Sequence, residues 1–181
     1  PTRRSSDLLS VDSFGGFYVS RYETTQTKDS SGNVIIGSKK NGKVFSGYNW
    51  YNMYLYQDSR KYASNPYSSS KSVVSSMIWG SQYDAMMNWM AKTGKEVGTA
   101  DSTGAKRNTD TVTGKSTKDV TNNVCDLYGC HREWTLENNG TGSRTFRGGD
   151  YVNSGSPAYR DSDSSNGINS SISSRASLII K

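Results

Sequence analysis

"NNVCDLYGCHREWTLE" (Asn122–Glu137) decides how the rest of the chain is read. It holds both cysteines, the single histidine and a tryptophan, with Asp126 and Glu133 on either side of the Cys130–His131 pair. Cys125, Cys130 and His131 raise the question of zinc, but a structural zinc takes four ligands, usually from two paired motifs. One C-x4-C-H with no second pair reads better as two small buried thiols in a reduced compartment. A disulfide is the alternative outside the cell. Trp134 reads as core.

The stretches around this block carry the secondary structure. In "SQYDAMMNWMAKTG" (Ser81–Gly94), Tyr83, Met86, Met87 and Met90 sit at i, i+3, i+4 and i+7 and form one apolar helical face. Ser81 is the expected cap, Asp84 lies near the favourable N-terminal end, and Lys92 with Gly94 supplies the stop. The methionine stripe is core packing, not a cofactor site. "YNWYNMYLYQDSRKYAS" (Tyr48–Ser64) spaces Tyr51, Tyr54 and Leu55 for a second helix. "FGGFYVSRYETT" (Phe14–Thr25) predicts an early strand, and residues 28–47 carry turn dipeptides. Residues 94–121 read as a long surface loop with a short hairpin. No internal repeat stands out. Helices early and short strands late predict an α+β domain.

Bulk composition bounds the function. A chain of 181 residues fits one domain with a core of its own. Only 32% of it is apolar, yet twelve Tyr and four Trp argue against a disordered chain. The net charge of +6 is spread over scattered Lys and Arg, with no basic run and no nucleic-acid motif, so nucleic acid is not an expected partner. No apolar run approaches the ~18 residues of a membrane span, and no signal peptide is visible. The opening "PTRRSSDL" (Pro1–Leu8) reads as a translated sequencing adapter and is set aside. A single domain is placed at 9–181, with whatever precedes residue 9 left open.

Five stretches in order carry a family resemblance: "GFYVSRYETT", "MIWGSQYDAMMNWM", "NNVCDLYGCHREWT", "FRGGDY" and "SRASLIIK". Together they resemble the formylglycine-generating (sulfatase-modifying factor) family, whose usual forms look like GFY-x-x-x-YE, WYDA, YDMAGNVWEWT, RGGSW and GFR. The resemblance implies a C-type-lectin-like fold of that subclass, with two helices, small sheets and much irregular structure. It does not carry the family's catalysis. The oxidases of the family hold copper with two Cys after the RGG turn, where soft Cu(I) needs sulfur; here Asp150–Lys181 contains no Cys. The related iron enzymes use several His, and this chain has one. No catalytic residue is therefore expected, and a formylglycine-generating-type oxidase or a degenerate homologue is the alternative. Cys130 also stands where the family usually has Asn.

The resemblance further implies a possible Ca²⁺ site at Asp126, Gly129, His131 and Glu133, from side-chain and backbone oxygens. The alternative left open is that Asp126 caps a turn and Glu133 pairs with an Arg. In "RGG" (Arg147–Gly149), consecutive glycines suit a bend needing positive φ or close backbone approach.

The remaining stretch is compositionally extreme. Of the 27 residues from Gly148 to Ser174, 21 are Ser, Asn, Asp, Tyr or Gly. The bias matches the products of mutating adenines in Asn codons, and it resembles the variable region of proteins diversified by retroelements, many of which use this lectin-like subclass. A surface that must tolerate many sequences wants Tyr for contact area and Ser, Gly and Asn for adaptable hydrogen bonds. The expected ligand-binding residues are Asp150, Tyr151, Asn153, Ser154, Ser156, Tyr159, Asp161, Asp163, Ser164, Asn166 and Asn169. Val152, Ile168 and Ile172 are expected to anchor the segment, and Arg175–Ile180 to return as the last strand. The expected function is a non-catalytic receptor-binding or adhesion domain on a phage virion or bacterial cell surface, its partner a host cell-surface protein or glycan. A structural subunit of a phage tail or surface appendage is a third reading.

Overall fold

The computed structural model describes residues 11–94, 109–153 and 155–181. The adapter-like residues 1–8 and part of the expected 94–121 loop lie outside the described residues.

Among the described residues the architecture is α+β: a helical turn at 11–14, two longer helices and several small sheets. A three-stranded sheet has the order β1 (Tyr18–Val19), β13 (Ala176–Ile180), β5 (Val73–Met77), antiparallel throughout. "ASLII" is thus the middle strand of its sheet. A four-stranded sheet has the order β11 (Arg160–Ser164), β10 (Ser143–Arg147), β9 (Arg132–Asn138), β12 (Ile172–Ser174), with β12 parallel to β9. Three two-stranded ribbons complete the set: β2 (Thr25–Lys28) with β3 (Val34–Gly37), β4 (Gly42–Lys43) with β6 (Val112–Thr113), and β7 (Val120–Thr121) with β8 (Val124–Cys125). The described part of the 94–121 segment therefore forms no hairpin of its own. Its strands β6 and β7 pair outward, with β4 and β8.

Helix α1 (Trp50–Gln57) is shorter than the expected span and turns a different face inward. Trp50, Met53 and Gln57 are buried, while Tyr51 is 57% exposed. It stops early because Asp58 takes an extended backbone while its N–H still donates to Tyr54 O. Helix α2 (Gly80–Lys92) buries Tyr83, Met86 and Met90 as the spacing requires. Its start is secured at Trp79, whose N–H donates to the Gln82 side chain at 2.9 Å, and not by Ser81. Gly94 ends it with φ +73°, a left-handed turn that costs glycine little.

The core divides into two clusters. One gathers Phe45, Trp50, Met53, Met77, Trp134, Phe146 and Ile172 between α1 and the four-stranded sheet. The other packs α2 against Ile78, Val124, Leu127 and Tyr128. The two glycines of "RGG" divide the two expected roles between them. Gly148 has φ +81°, and a Cβ on Gly149 would lie 2.2 Å from Tyr128 O. Backbone-on-backbone contact at that spacing admits no side chain.

Two of the three expected anchors are not anchors. Ile172 is fully buried, but Val152 is 50% and Ile168 74% exposed. Ile168 follows a turn closed by Gly167 N–H to Ser164 O, which carries it away from the sheet. The segment is held instead by the buried Pro157, whose carbonyl accepts from Tyr83 OH at 3.1 Å, and by Asp150.

Candidate functional site

Strand β11 reads "RDSDS" and holds no apolar residue. It forms nonetheless, because it pairs with β10 over its whole length, from Arg160 opposite Arg147 to Ser164 opposite Ser143. Backbone hydrogen bonds are indifferent to side-chain identity. The strand sits at the sheet edge, where charged side chains also discourage unwanted pairing.

Around this edge the expected binding residues take different positions. Tyr159 is 40% exposed, and its hydroxyl donates to Asp161 Oδ2 at 2.9 Å. The bond pushes the Tyr159 phenol up. The Asp161 carboxyl is held below its usual range by Ser162 N–H first and by this hydroxyl second. Asp163 is half-buried and accepts from Asn169 Nδ2 at 3.2 Å, while Asn169 Oδ1 accepts from Ser171. Ser164, Asn166 and Asn153 are exposed, and Ser156 is half-buried with its Oγ accepting from Ala158 N–H. Ser154 lies outside the described residues. Tyr151 is half-buried, its ring 5.2 Å from that of His131.

Asp150 differs from the rest. It is buried, Oδ1 accepts from the N–H groups of Val152 and Asn153, and Oδ2 lies 3.1 Å from Arg132 Nε. Its geometry is that of a turn cap; it presents nothing to a ligand. Arg132 is the residue that sequence reasoning missed. Its guanidinium lies 5.0 Å from the Phe146 ring centre and 5.5 Å from that of Tyr159, joining the core to the exposed edge. Its place two residues before the core Trp134, on the same strand face, was the available signal.

Beneath this surface lies a layer of buried polar groups. Arg175 Nε donates to both oxygens of Glu133, at 2.9 and 3.0 Å, and its other nitrogens reach Ser20 O and Cys125 O. Asp126 Oδ2 accepts from Thr113 Oγ1 at 2.5 Å and from Gly114 N–H at 2.6 Å. Asp119 receives the N–H groups of Leu127 and Tyr128. Burial raises the Asp119 carboxyl to about 6 and pushes Glu133 up as well.

These contacts do not fit calcium at Asp126, Gly129, His131 and Glu133. A guanidinium already spans both Glu133 oxygens, and the Asp126 oxygen is committed to a hydroxyl and an amide. Hard cations need such oxygens free and several of them together. Cys125 and Cys130 are both free, buried thiols, and burial pushes each one up, so neither is primed as a nucleophile. Glu23, Cys130 and His131 bring their ligand atoms within 4.8 Å of one another, also fully buried.

The arrangement therefore offers a polar, Tyr-bearing edge laid over a rigid, hydrogen-bonded base. No family model, curated protein or solved structure matches the chain. No described helix is long and apolar enough to cross a membrane.

Proposed function

We propose that the chain is a non-catalytic binding domain that displays Tyr151–Asn169 as a variable recognition surface. The observation that carries this reading is β11: a strand fixed by its backbone along its whole length, with no apolar side chain and only Arg160 tied to the sheet beneath, through Glu137. From Asp161 to Ser164 such a strand can change sequence without losing its place. Tyr159, Asp161, Ser164, Asn166 and Asn153 supply aromatic area and adaptable hydrogen bonds, as antibody loops do. The fold proposed for it is the C-type-lectin-like arrangement of the formylglycine-generating subclass. The proposed setting is a phage virion or bacterial surface, and the proposed partner is a host cell-surface protein or glycan. Asp150 belongs to the scaffold in this reading, and calcium has no part in it.

The DNA flanking the gene tests the proposal. A near-identical repeat of the segment encoding residues 148–174, differing at adenines and lying beside a reverse transcriptase gene, is the expected finding. A neighbouring sulfatase gene with no such repeat, or oxidation of a sulfatase peptide by the purified chain, would sink it.

A further inference from the structure

Cys130 stands in an awkward place for a cysteine. Its φ is +64°, a left-handed backbone that Asn or Gly adopts more easily, and it is fully buried. Strain of this kind persists where the surroundings fix it, and it is a reason to look for a use. The thiol faces two other ligand-type groups. Cys130 Sγ is 3.4 Å from His131 Nδ1, and His131 Nδ1 is 3.5 Å from Glu23 Oε2. Bonds of about 2.0 Å to N and O and about 2.3 Å to S around a tetrahedral centre would place N···O about 3.3 Å and N···S about 3.5 Å apart. These two edges already match that spacing.

Glu23 adds an independent observation. Its carboxylate is fully buried; it accepts from His131 N–H on Oε1 at 3.0 Å and from Ser173 Oγ–H on Oε2 at 2.8 Å, and it also faces the imidazole and the Cys130 thiol. No Arg or Lys pairs with it among the described residues. A buried carboxylate without a permanent cation is costly, and a dication would remove that cost.

We infer that Glu23, Cys130 and His131 form a buried site for a divalent, thiophilic metal, zinc by chemistry. Sulfur, imidazole and carboxylate together suit Zn²⁺, whereas calcium would refuse the sulfur. Binding releases the Cys130 Sγ–H proton to solvent, and the fourth position falls to a water, while Ser173 Oγ–H holds the Glu23 carboxylate in place. Burial of all three ligands makes the role structural. The metal would tie the segment after β1 to the loop before β9 and, through Ser173, to β12. Ligands so far apart in sequence carry no local motif, which is why C-x4-C-H alone looked too weak.

The test uses the full chain, stripped with a chelator and titrated with Zn²⁺ and with Co²⁺. One equivalent of either metal binds, and cobalt develops a thiolate-to-metal charge-transfer band with tetrahedral visible bands. Cys130→Ser abolishes that band and Cys125→Ser retains it. Ser173→Ala, beside Glu23, weakens zinc binding about 10-fold, as loss of a ligand-orienting group does. Failure of the wild-type chain to bind stoichiometrically, or a cobalt spectrum without the thiolate band, overturns the site whether or not any variant folds. A band that survives Cys130→Ser, or an unchanged zinc affinity in Glu23→Gln, overturns it too. None of these results depends on what the β11 edge binds.

Discussion

Arg175 and Glu133 form a forked ion pair in which neither side chain reaches solvent. The pair sits where β12 leaves the four-stranded sheet and β13 enters the three-stranded one. Removing one partner leaves the other charged and buried. Arg175→Ala or Glu133→Ala alone should cost roughly 3–5 kcal/mol in urea unfolding. Arg175→Lys should not restore stability, since an ammonium cannot span Glu133, Ser20 O and Cys125 O together. Near-native stability of either alanine variant would show that the junction does not depend on the pair.

Gly149→Ala sets a new Cβ 2.2 Å from Tyr128 O, a backbone atom that cannot step aside. A loss of roughly 1–3 kcal/mol is expected from forced displacement. Gly140→Ala meets nothing within 4 Å and is strained only by its φ of +90°. Calorimetry should rank the first well below the second in Tm.

Asp119 gives the chain an acid-side stability slope. Burial is the main cause that lifts its carboxyl from 3.8 to about 6, against the Tyr128 and Leu127 N–H groups that favour the charged form. The native state then keeps a proton that the unfolded chain has already released. This contribution is complete below 3.8 and fades as pH rises through about 6. Asp119→Asn, which cannot ionise, should remove it. Urea midpoints at several pH values across that interval check the point: wild type should fall relative to the variant, and parallel curves would refute the assignment.

The β11 edge should tolerate change that the sheet beneath will not. Asp161→Ala, Ser164→Ala and Asn166→Ala should each move stability by less than about 0.5 kcal/mol, as exposed substitutions do. Trp134→Ala, fully buried in the core, should cost roughly 3–5 kcal/mol. Tyr151→Ala and Asp161→Ala should weaken binding to ligand-bearing cells while the domain stays folded. A large thermal loss in Asp161→Ala would mean that the edge supports the fold and is not free to vary.

Local periodicity made α2 legible, because its buried face repeats within one element. It misjudged α1, where Gln57 turns inward to bond Ser174 Oγ, a partner 117 residues away that no local spacing reveals. The return of "ASLII" to a sheet was readable from its apolar run, but its central position was not, since pairing order is a property of distant strands. Ile168 failed as an anchor because an apolar residue next to Gly and Asn can ride a turn tip as easily as enter a core. The display residues were visible as composition. Asp150 was swept in with them, because nothing in its neighbours distinguishes a buried cap from a surface carboxylate. Arg132 and Glu23 were passed over for a related reason: each matters through residues that only the folded chain brings near.

The central place of β13 also sets the timing of folding. Arg175 reaches Ser20 O across 155 residues, and β1 and β5 have no common partner until β13 lies between them. On the ribosome, the early strands must wait with open edges until residue 180 has emerged, so closure of this sheet belongs after synthesis of that segment.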